Sequence, residues 1–197
     1  MVKTASDMLP LGTAAPDFRL RDAVSGKDVA LADLPSDRPL LVMFICNHCP
    51  YVVHVRGEFA RLAADYDGRL AIVAINANSL ATHPQDGPVP MKELATSLGW
   101  SFPFLFDETQ EVAKAYHAAC TPDFFLFGAG TPRRLAYRGQ LDGSRPGNDV
   151  PVTGRDLRAA IDALLAGGEP AADQRPSLGC NIKWAPGAEP DYFGASH

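Results

Sequence analysis

The sequence predicts one α/β domain with a central mixed sheet flanked by helices. Two apolar runs, residues 40–45 and 70–75, have the length and composition of strands buried on both faces. The segment from Pro50 repeats apolar residues every three or four positions, as an amphipathic helix does. A strand, a helix and a strand in that order predict a parallel crossover. Residues 124–127 and Leu135–Arg138 flank a glycine-rich turn and predict an antiparallel hairpin, which makes the sheet mixed.

The two ends of the chain extend this domain. Residues 15–20 and 27–31 flank a Ser-Gly turn and predict an N-terminal β-hairpin. We therefore divide the chain into an N-terminal arm (1–11), the main domain (12–166) and an extended C-terminal tail (167–197). The tail has little periodicity, but it holds a cysteine and a tryptophan that a disordered linker need not contain.

Three further helices are predicted behind the first. Residues 91–98 carry apolar side chains on one face. Asp107, three residues before Gln110, is suited to cap the next helix. Thr153, three residues before Asp156, predicts a capping box for the last helix.

Composition excludes several classes of function. The 197 residues carry a net charge of −5 with a pI near 5.5, which argues against a general binder of nucleic acid or anionic membranes. No apolar run has the length of a membrane span, and the first ten residues lack the apolar core of a signal peptide. We therefore expect a cytoplasmic protein with no nucleic-acid or membrane partner.

The four cysteines are the candidates for chemistry. In a reducing compartment Cys46, Cys49, Cys120 and Cys180 are reactive, metal-binding or buried rather than structural disulfides. Cys46 and Cys49 form a Cys-x-x-Cys pair where a predicted strand gives way to a helix. Because the N-terminal dipoles of a helix stabilise a thiolate, this position indicates redox chemistry.

The order of elements and the place of this pair resemble the thioredoxin fold. More closely, the chain resembles the redoxin branch, which includes peroxiredoxins of the AhpC/TSA type and membrane-anchored thiol reductases. The resemblance covers roughly residues 10–166. The matching segments are residues 12–18 (Gly-Thr-Ala-Ala-Pro-Asp-Phe), 40–49, 121–122 (Thr-Pro) and 137–140 (Tyr-Arg-Gly-Gln), with 49–52 and 179–184 resembling an uncharacterised peroxiredoxin-like subgroup.

The resemblance also implies which sulfur attacks. In thioredoxins the nucleophile follows the last strand aromatic by five residues, and counting from Phe44 gives Cys49. The usual second cysteine would then fall at Val52. Cys46 takes the place of a peroxiredoxin threonine that hydrogen-bonds the reacting sulfur. The geometry of a helix start supports the same assignment. Of the two cysteines, only Cys49, just ahead of Pro50, can accept hydrogen bonds from the first-turn amides.

Other residues are candidates for supporting roles. His48, if protonated, would lower the thiol pKa, or it simply packs at the surface. Thr121 and Pro122 match the cis-proline loop that faces the nucleophile and offers backbone to an extended substrate. Cys46 and Cys180 are both candidate resolving thiols, and Cys180 is alternatively a bystander. Cys120 is expected to be a small buried hydrophobe.

The sequence departs from the family at four places. Val42 and Cys46 stand where peroxiredoxins have a proline and a threonine, and the loop around Pro122 lacks their arginine. Met43 stands where thioredoxins bury a carboxylate. These departures argue against an efficient peroxidase and against an efficient general reductase. They leave thiol–disulfide exchange as the activity that the sequence supports best.

The sequence therefore predicts a thiol oxidoreductase without a cofactor. Its substrate is a protein disulfide, a small-molecule disulfide or a peroxide, and a cellular thiol reductant regenerates it. The alternatives are a low-efficiency thiol peroxidase, a non-enzymatic redox sensor, and a module that binds metal through Cys46, His48 and Cys49. The preferred interpretation contains no metal, because one Cys-x-x-Cys without a second pair is a weak metal signature.

Overall fold

The structure is a computed structural model that describes residues 3–193. The helices are α1 (Pro50–Asp65), α2 (Pro88–Ser97), α3 (Glu111–Ala115) and α4 (Arg155–Leu165). The strands are β1 (Lys3–Ala5), β2 (Arg19–Asp22), β3 (Asp28–Ala30), β4 (Leu40–Phe44), β5 (Ala71–Asn76), β6 (Phe104–Phe106), β7 (Cys120–Thr121), β8 (Asp123–Phe127), β9 (Leu135–Arg138) and β10 (Leu178–Asn181). The first hairpin strand begins at Arg19 rather than at residue 15.

Seven strands form the central sheet in the order β3-β2-β6-β5-β4-β8-β9. β4 pairs in parallel with β5 and antiparallel with β8, which confirms the mixed sheet. Alternate β4 residues enter two cores. Leu41 and Met43 pack with α1 and α4, while Val42 and Phe44 pack on the opposite face with Tyr116. β4 is thus held on both edges and both faces, and its carboxyl end is a rigid base for the segment that follows.

The first turn of α3 differs from the prediction. Its N-cap is Gln110, with φ of 65°, rather than Asp107. The Asp107 carboxylate instead accepts the amide N–H of Ala113 at 2.8 Å. It therefore satisfies an amide of the same helix without being its N-cap residue.

The capping box predicted for α4 is also wrong. The N-cap is Gly154, with φ of 67°. The carboxylate of Asp142 accepts the amides of Thr153 and Gly154, each at 2.7 Å. Of the two amides that the box was expected to satisfy, that of Thr153 therefore bonds to Asp142, and that of Asp156 bonds to the Leu141 carbonyl at 3.1 Å. A pattern confined to the helix start cannot show this.

The two chain ends form a second, three-stranded sheet in the order β1-β10-β7. The N-terminal residues, expected as a loose arm, thus include a strand, and the tail contains another. Trp184 is 6% exposed and packs into the core on the Phe44 face, which fixes the segment after β10. Among residues 3–193, no helix combines the length and the apolar character that crossing a bilayer requires.

Candidate active site

Cys49 is the N-cap residue of α1, and Pro50 occupies the first helical position. Proline suits this position because its missing N–H would have no partner within the helix. The backbone N–H of Val52 points at the Cys49 sulfur and favours its thiolate. Cys49 therefore lies at the start of α1, as the count from Phe44 predicted, and its side chain is completely buried.

Thiols and a hydroxyl surround the Cys49 sulfur. The thiols of Cys46 and Cys180 and the hydroxyl of Thr121 hydrogen-bond to it. These bonds, with the Cys46 thiol first, outweigh burial and lower the pKa of Cys49 to about 4. One neighbour opposes them, because the Thr121 carbonyl oxygen lies 3.1 Å from the sulfur and accepts a bond only from the protonated thiol. Three side-chain donors and an amide outnumber this single acceptor.

Cys46 lies just past the end of β4 and is 1% exposed. Its hydrogen bond to Cys49, burial and the charge of Asp86 all raise its pKa well above the ordinary value. Its sulfur also lies 3.5 Å from the Thr121 hydroxyl. Cys46 therefore stays protonated as a donor, as the resemblance implied for this position.

Cys180 reaches the site on β10. This strand runs antiparallel to β7 and pairs Cys180 with Thr121. Burial and the neighbouring Cys49 raise the pKa of Cys180 to about 12. All four cysteines lie within the described residues, and none is in a disulfide.

Thr121 and Pro122 form the loop that faces Cys49, and the peptide bond between them is cis as predicted. The adjoining Cys120 is fully buried, its thiol lies 3.6 Å from the Pro122 carbonyl, and burial raises its pKa well above the ordinary value. This agrees with its predicted role as a small hydrophobe. The edge of β7 that the family resemblance offers to an extended substrate is occupied by β10 of the same chain.

His48 faces Asp86. Its Nδ1 atom lies 2.8 Å from Asp86 Oδ2, and its ring stacks on His83 at a centroid distance of 5.0 Å. The groups that lower the Cys49 pKa are Cys46, Cys180, Thr121 and Val52. Tuning of the thiolate by His48 therefore stays a prediction.

Asp86 is the functional candidate that the sequence did not reveal. It ends the short 3-10 helix Pro84–Asp86 and is fully buried. Its carboxylate accepts the amide N–H of Asn47 at 3.0 Å and the Asn78 side-chain amide at 2.8 Å. The site thus has a buried carboxylate beside Cys46, although Met43 occupies the usual position for one.

A small cavity lies near the sulfurs, and a larger one lies far from them. The small one, of about 10 Å³, is lined by Tyr51, Pro122 and Leu178 among others and has room for about one water molecule. The larger one, of about 340 Å³, lies beside Pro39 at the opposite end of β4. Its location therefore gives it no place in the thiol chemistry.

Comparison with known proteins shows what this chain resembles over most of its length. A family model described as the AhpC/TSA family matches residues 11–137. An uncharacterized conserved protein from Geobacillus kaustophilus is 52% identical, with a TM-score of 0.91 over 95% of this chain and 99% of that one. A hypothetical protein from Sinorhizobium meliloti 1021 is 49% identical, with a TM-score of 0.89 over 93% of this chain and 100% of that one.

More distant structures share the fold alone. The peroxidoxin BcpB from Mycobacterium tuberculosis is 21% identical, with a TM-score of 0.52 over 64% of this chain and 82% of that one. A secreted disulfide oxidoreductase from the same organism, homologous to E. coli DsbE, is 16% identical, with a TM-score of 0.56 over 75% and 96%. A search of curated proteins gave no significant match.

Proposed function

Because this chain belongs to the AhpC/TSA family, we propose that it is a thiol oxidoreductase in which Cys49 attacks a small hydroperoxide and Cys180 resolves the oxidised sulfur. The observation that carries this proposal is the strand pairing that brings Cys180 opposite Thr121, beside the Cys49 sulfur. The tail thus supplies a second thiol where an extended substrate would otherwise lie.

The first step is attack on the peroxide. The Cys49 thiolate forms an S–O bond with one peroxide oxygen while the O–O bond breaks, and the departing oxygen takes a proton and leaves as water or an alcohol. Cys49 becomes a sulfenic acid, having lost two electrons to the peroxide. The side-chain donors around the sulfur are two S–H groups and one hydroxyl. These are weaker than an arginine, so we expect a modest rate.

The second step is resolution. The Cys180 sulfur forms an S–S bond with Cys49 while the S–O bond breaks, and the released hydroxide combines with the Cys180 proton as water. A cellular thiol reductant then returns two electrons and two protons to the disulfide. This cycle needs no metal and no organic cofactor.

Cys180 suits resolution better than Cys46 because the backbone that carries Cys180 can move more easily. A disulfide requires sulfurs about 2.05 Å apart, so one partner must move from hydrogen-bonding distance. Cys46 follows β4, which neighbouring strands hold on both edges. Cys180 lies on a four-residue strand between β1, of three residues, and β7, of two. Shifting this small sheet disturbs fewer contacts than bending the end of β4.

The buried position of Cys49 favours a small oxidant. An extended polypeptide disulfide would have to displace β10 from β7 before it could reach the sulfur. Hydrogen peroxide needs little more room than a water molecule. We therefore assign the substrate as a small hydroperoxide rather than a protein disulfide.

A single-turnover count of thiols tests the proposal. The fully reduced chain, treated in chelator with one equivalent of hydrogen peroxide and then denatured, should fall from four titratable thiols to two. Cys180→Ser should lose one of its three thiols and hold a sulfenic acid that dimedone traps. Cys49→Ser should keep all three, and the control Cys120→Ser should lose two of three. Equal thiol loss in Cys49→Ser and the unmodified chain would reject Cys49 as nucleophile.

The substrate class has its own test. Hydrogen peroxide should react with the reduced chain faster than tert-butyl hydroperoxide and much faster than the disulfides of insulin. Faster reaction with insulin would reject the small-substrate assignment, and Cys49 chemistry would then operate in disulfide exchange with the tail displaced.

A further inference from the structure

We propose that Cys46, His48 and Asp86 form a zinc site next to the redox sulfurs. This inference goes beyond the proposed function, in which Cys46 donates a hydrogen bond to Cys49 and none of the three residues attacks or resolves. Zinc would displace the Cys46 thiol proton, so the zinc-bound form would lack that donor. Their ligand atoms (the sulfur, an imidazole nitrogen and a carboxylate oxygen) all lie within 4.8 Å of one another. Donor atoms of a tetrahedral zinc site are about 3.3–3.8 Å apart, given bond lengths of about 2.0–2.3 Å. Zinc binding would therefore require the widest of these separations to shorten and the 2.8 Å contact between His48 Nδ1 and Asp86 Oδ2 to lengthen slightly.

The chemistry of the three donors selects zinc among common cations. Thiolate and imidazole are poor ligands for magnesium and calcium, which prefer oxygen, whereas zinc binds sulfur, nitrogen and oxygen together. A Cys46 thiolate and the Asp86 carboxylate would supply two negative charges, which balance a divalent cation. Three protein ligands leave a fourth position for water.

Neighbouring groups orient two of these three ligands. Asn78 donates to Asp86 Oδ2 and the Asn47 amide to Oδ1, which fixes the plane of the carboxylate. The His48 ring lies against the His83 ring with an interplanar angle of 20°. Such outer contacts orient metal ligands and raise metal affinity.

A second observation is the contact between His48 and Asp86. His48 Nδ1 is buried and lies 2.8 Å from Asp86 Oδ2 as an ion pair, but the two groups are not aligned for a hydrogen bond. A cation bound between these atoms would use both as ligands in place of this poorly aligned contact.

A cation can reach the site from outside. The His48 side chain is 23% exposed and Asn47 is only half-buried, so solvent approaches from this side. The sequence had suggested Cys49 as the third ligand. Among residues 3–193, the metal-competent group contains Asp86 instead, which leaves Cys49 to the redox chemistry. Zinc on Cys46 would block any disulfide between Cys46 and Cys49.

Zinc titration of the full-length chain tests the site. The reduced, metal-stripped protein is titrated with zinc alone against a chromophoric chelator. We expect about one zinc per chain, with affinity reduced at least tenfold in each of Cys46→Ser, His48→Gln and Asp86→Asn. The matched control is His117→Asn, because His117 Nδ1 lies 2.9 Å from Asp7 Oδ2 in a second His–Asp pair. This variant should bind zinc as the unmodified chain does.

Cobalt gives a second readout that does not depend on activity. Cobalt bound to the unmodified chain should show sulfur-to-metal charge-transfer absorption that Cys46→Ser removes and Cys120→Ser retains. If Asp86→Asn does not fold, the zinc affinity of His48→Gln tests the site instead. The His48 side chain is partly exposed, so this variant is expected to fold. No zinc uptake by the unmodified chain would overturn the proposal. So would affinity unchanged in His48→Gln, or binding lost only in Cys49→Ser or Cys180→Ser.

Discussion

The carbonyl oxygen of Thr121 stands where a side chain on Gly179 would begin. A Cβ atom built on Gly179 would lie 2.0 Å from that oxygen and 2.6 Å from the Thr121 carbonyl carbon, so only glycine lets β10 approach β7 this closely. The next residue along is Cys180. This glycine therefore sets the distance between the tail and the Cys49 sulfur.

Gly179→Ala should move β10 away from β7. Because the clash is with backbone rather than with a flexible side chain, the strand must shift, at a cost of about 1–3 kcal/mol in the free energy of unfolding. The yield of the Cys49–Cys180 disulfide after one equivalent of peroxide should fall with it. Urea denaturation and thiol counting measure the two effects.

Gly57→Ala is the matched control. Gly57 lies within α1 and is exposed, and a Cβ atom added there would meet nothing within 4 Å beyond the backbone of its own helix. Alanine there should raise the free energy of unfolding by about 0.5–1 kcal/mol and leave the disulfide yield unchanged. A Gly179→Ala chain that matches Gly57→Ala in both measurements would contradict the close approach.

The Cys49 thiolate should persist in mildly acidic solution. Hydrogen bonds from Cys46 and its neighbours lower its pKa to about 4, so the ultraviolet absorbance of the thiolate should be constant from pH 6 to 8 and decline towards pH 4. The signal is the difference between the unmodified chain and Cys49→Ser. A transition centred near pH 8 or 9 would show an ordinary cysteine instead.

Cys46→Ala should raise the pKa of Cys49. The Cys46 thiol is the largest contributor to the lowered value, and alanine removes that donor while keeping a small apolar group. The midpoint of the thiolate absorbance should move upward in Cys46→Ala and stay unchanged in Cys120→Ala. An unmoved midpoint in Cys46→Ala would mean that Cys46 is not a donor to the nucleophile.

Asp123 should make stability depend on pH. Burial raises its pKa to about 7, while the carboxylate accepts bonds from the Ser6 hydroxyl at 2.7 Å and the Ala119 amide at 3.2 Å. In the unfolded chain the same group ionises near pH 4. Between about pH 4 and pH 7 the folded state therefore binds more protons, and its stability falls as the pH rises.

Asp123→Asn should remove this decline. The variant will be less stable at pH 5, because an amide nitrogen replaces an acceptor beside Ala119, but its stability should change less between pH 5 and pH 8. Chemical denaturation at several pH values measures the slope. Parallel profiles for the two proteins would place the pKa of Asp123 near its ordinary value.

The parts predictable from sequence are those set by local patterns. Leu40–Phe44 is an unbroken apolar run because both faces of β4 are buried, and the apolar spacing after Pro50 indicates α1. The position of Cys49 at the helix start follows from these two elements. The capping pattern at Thr153 failed because two groups outside the pattern, the Asp142 carboxylate and the Leu141 carbonyl, accept the amides of Thr153 and Asp156.

The unpredicted parts depend on contacts between distant segments. The pairing of Cys180 with Thr121 joins two short strands with little alternation, so no periodicity marks them. Asp86 lies in a proline-rich loop, where a carboxylate normally faces solvent. Only the folded chain brings it beside Cys46 and His48. The sequence could therefore identify the thiols and the loop that faces Cys49, but not the strand that brings Cys180 to the site or the carboxylate beside Cys46.

Disulfide mapping of the peroxide-treated chain tests the central claim most directly. The reduced full-length protein is given one equivalent of hydrogen peroxide, its remaining thiols are alkylated, and its peptides are identified by mass spectrometry. Our account predicts one dominant linked pair, the peptide containing Cys49 joined to the peptide containing Cys180. A dominant Cys46–Cys49 link, or a disulfide that omits Cys49, would contradict it.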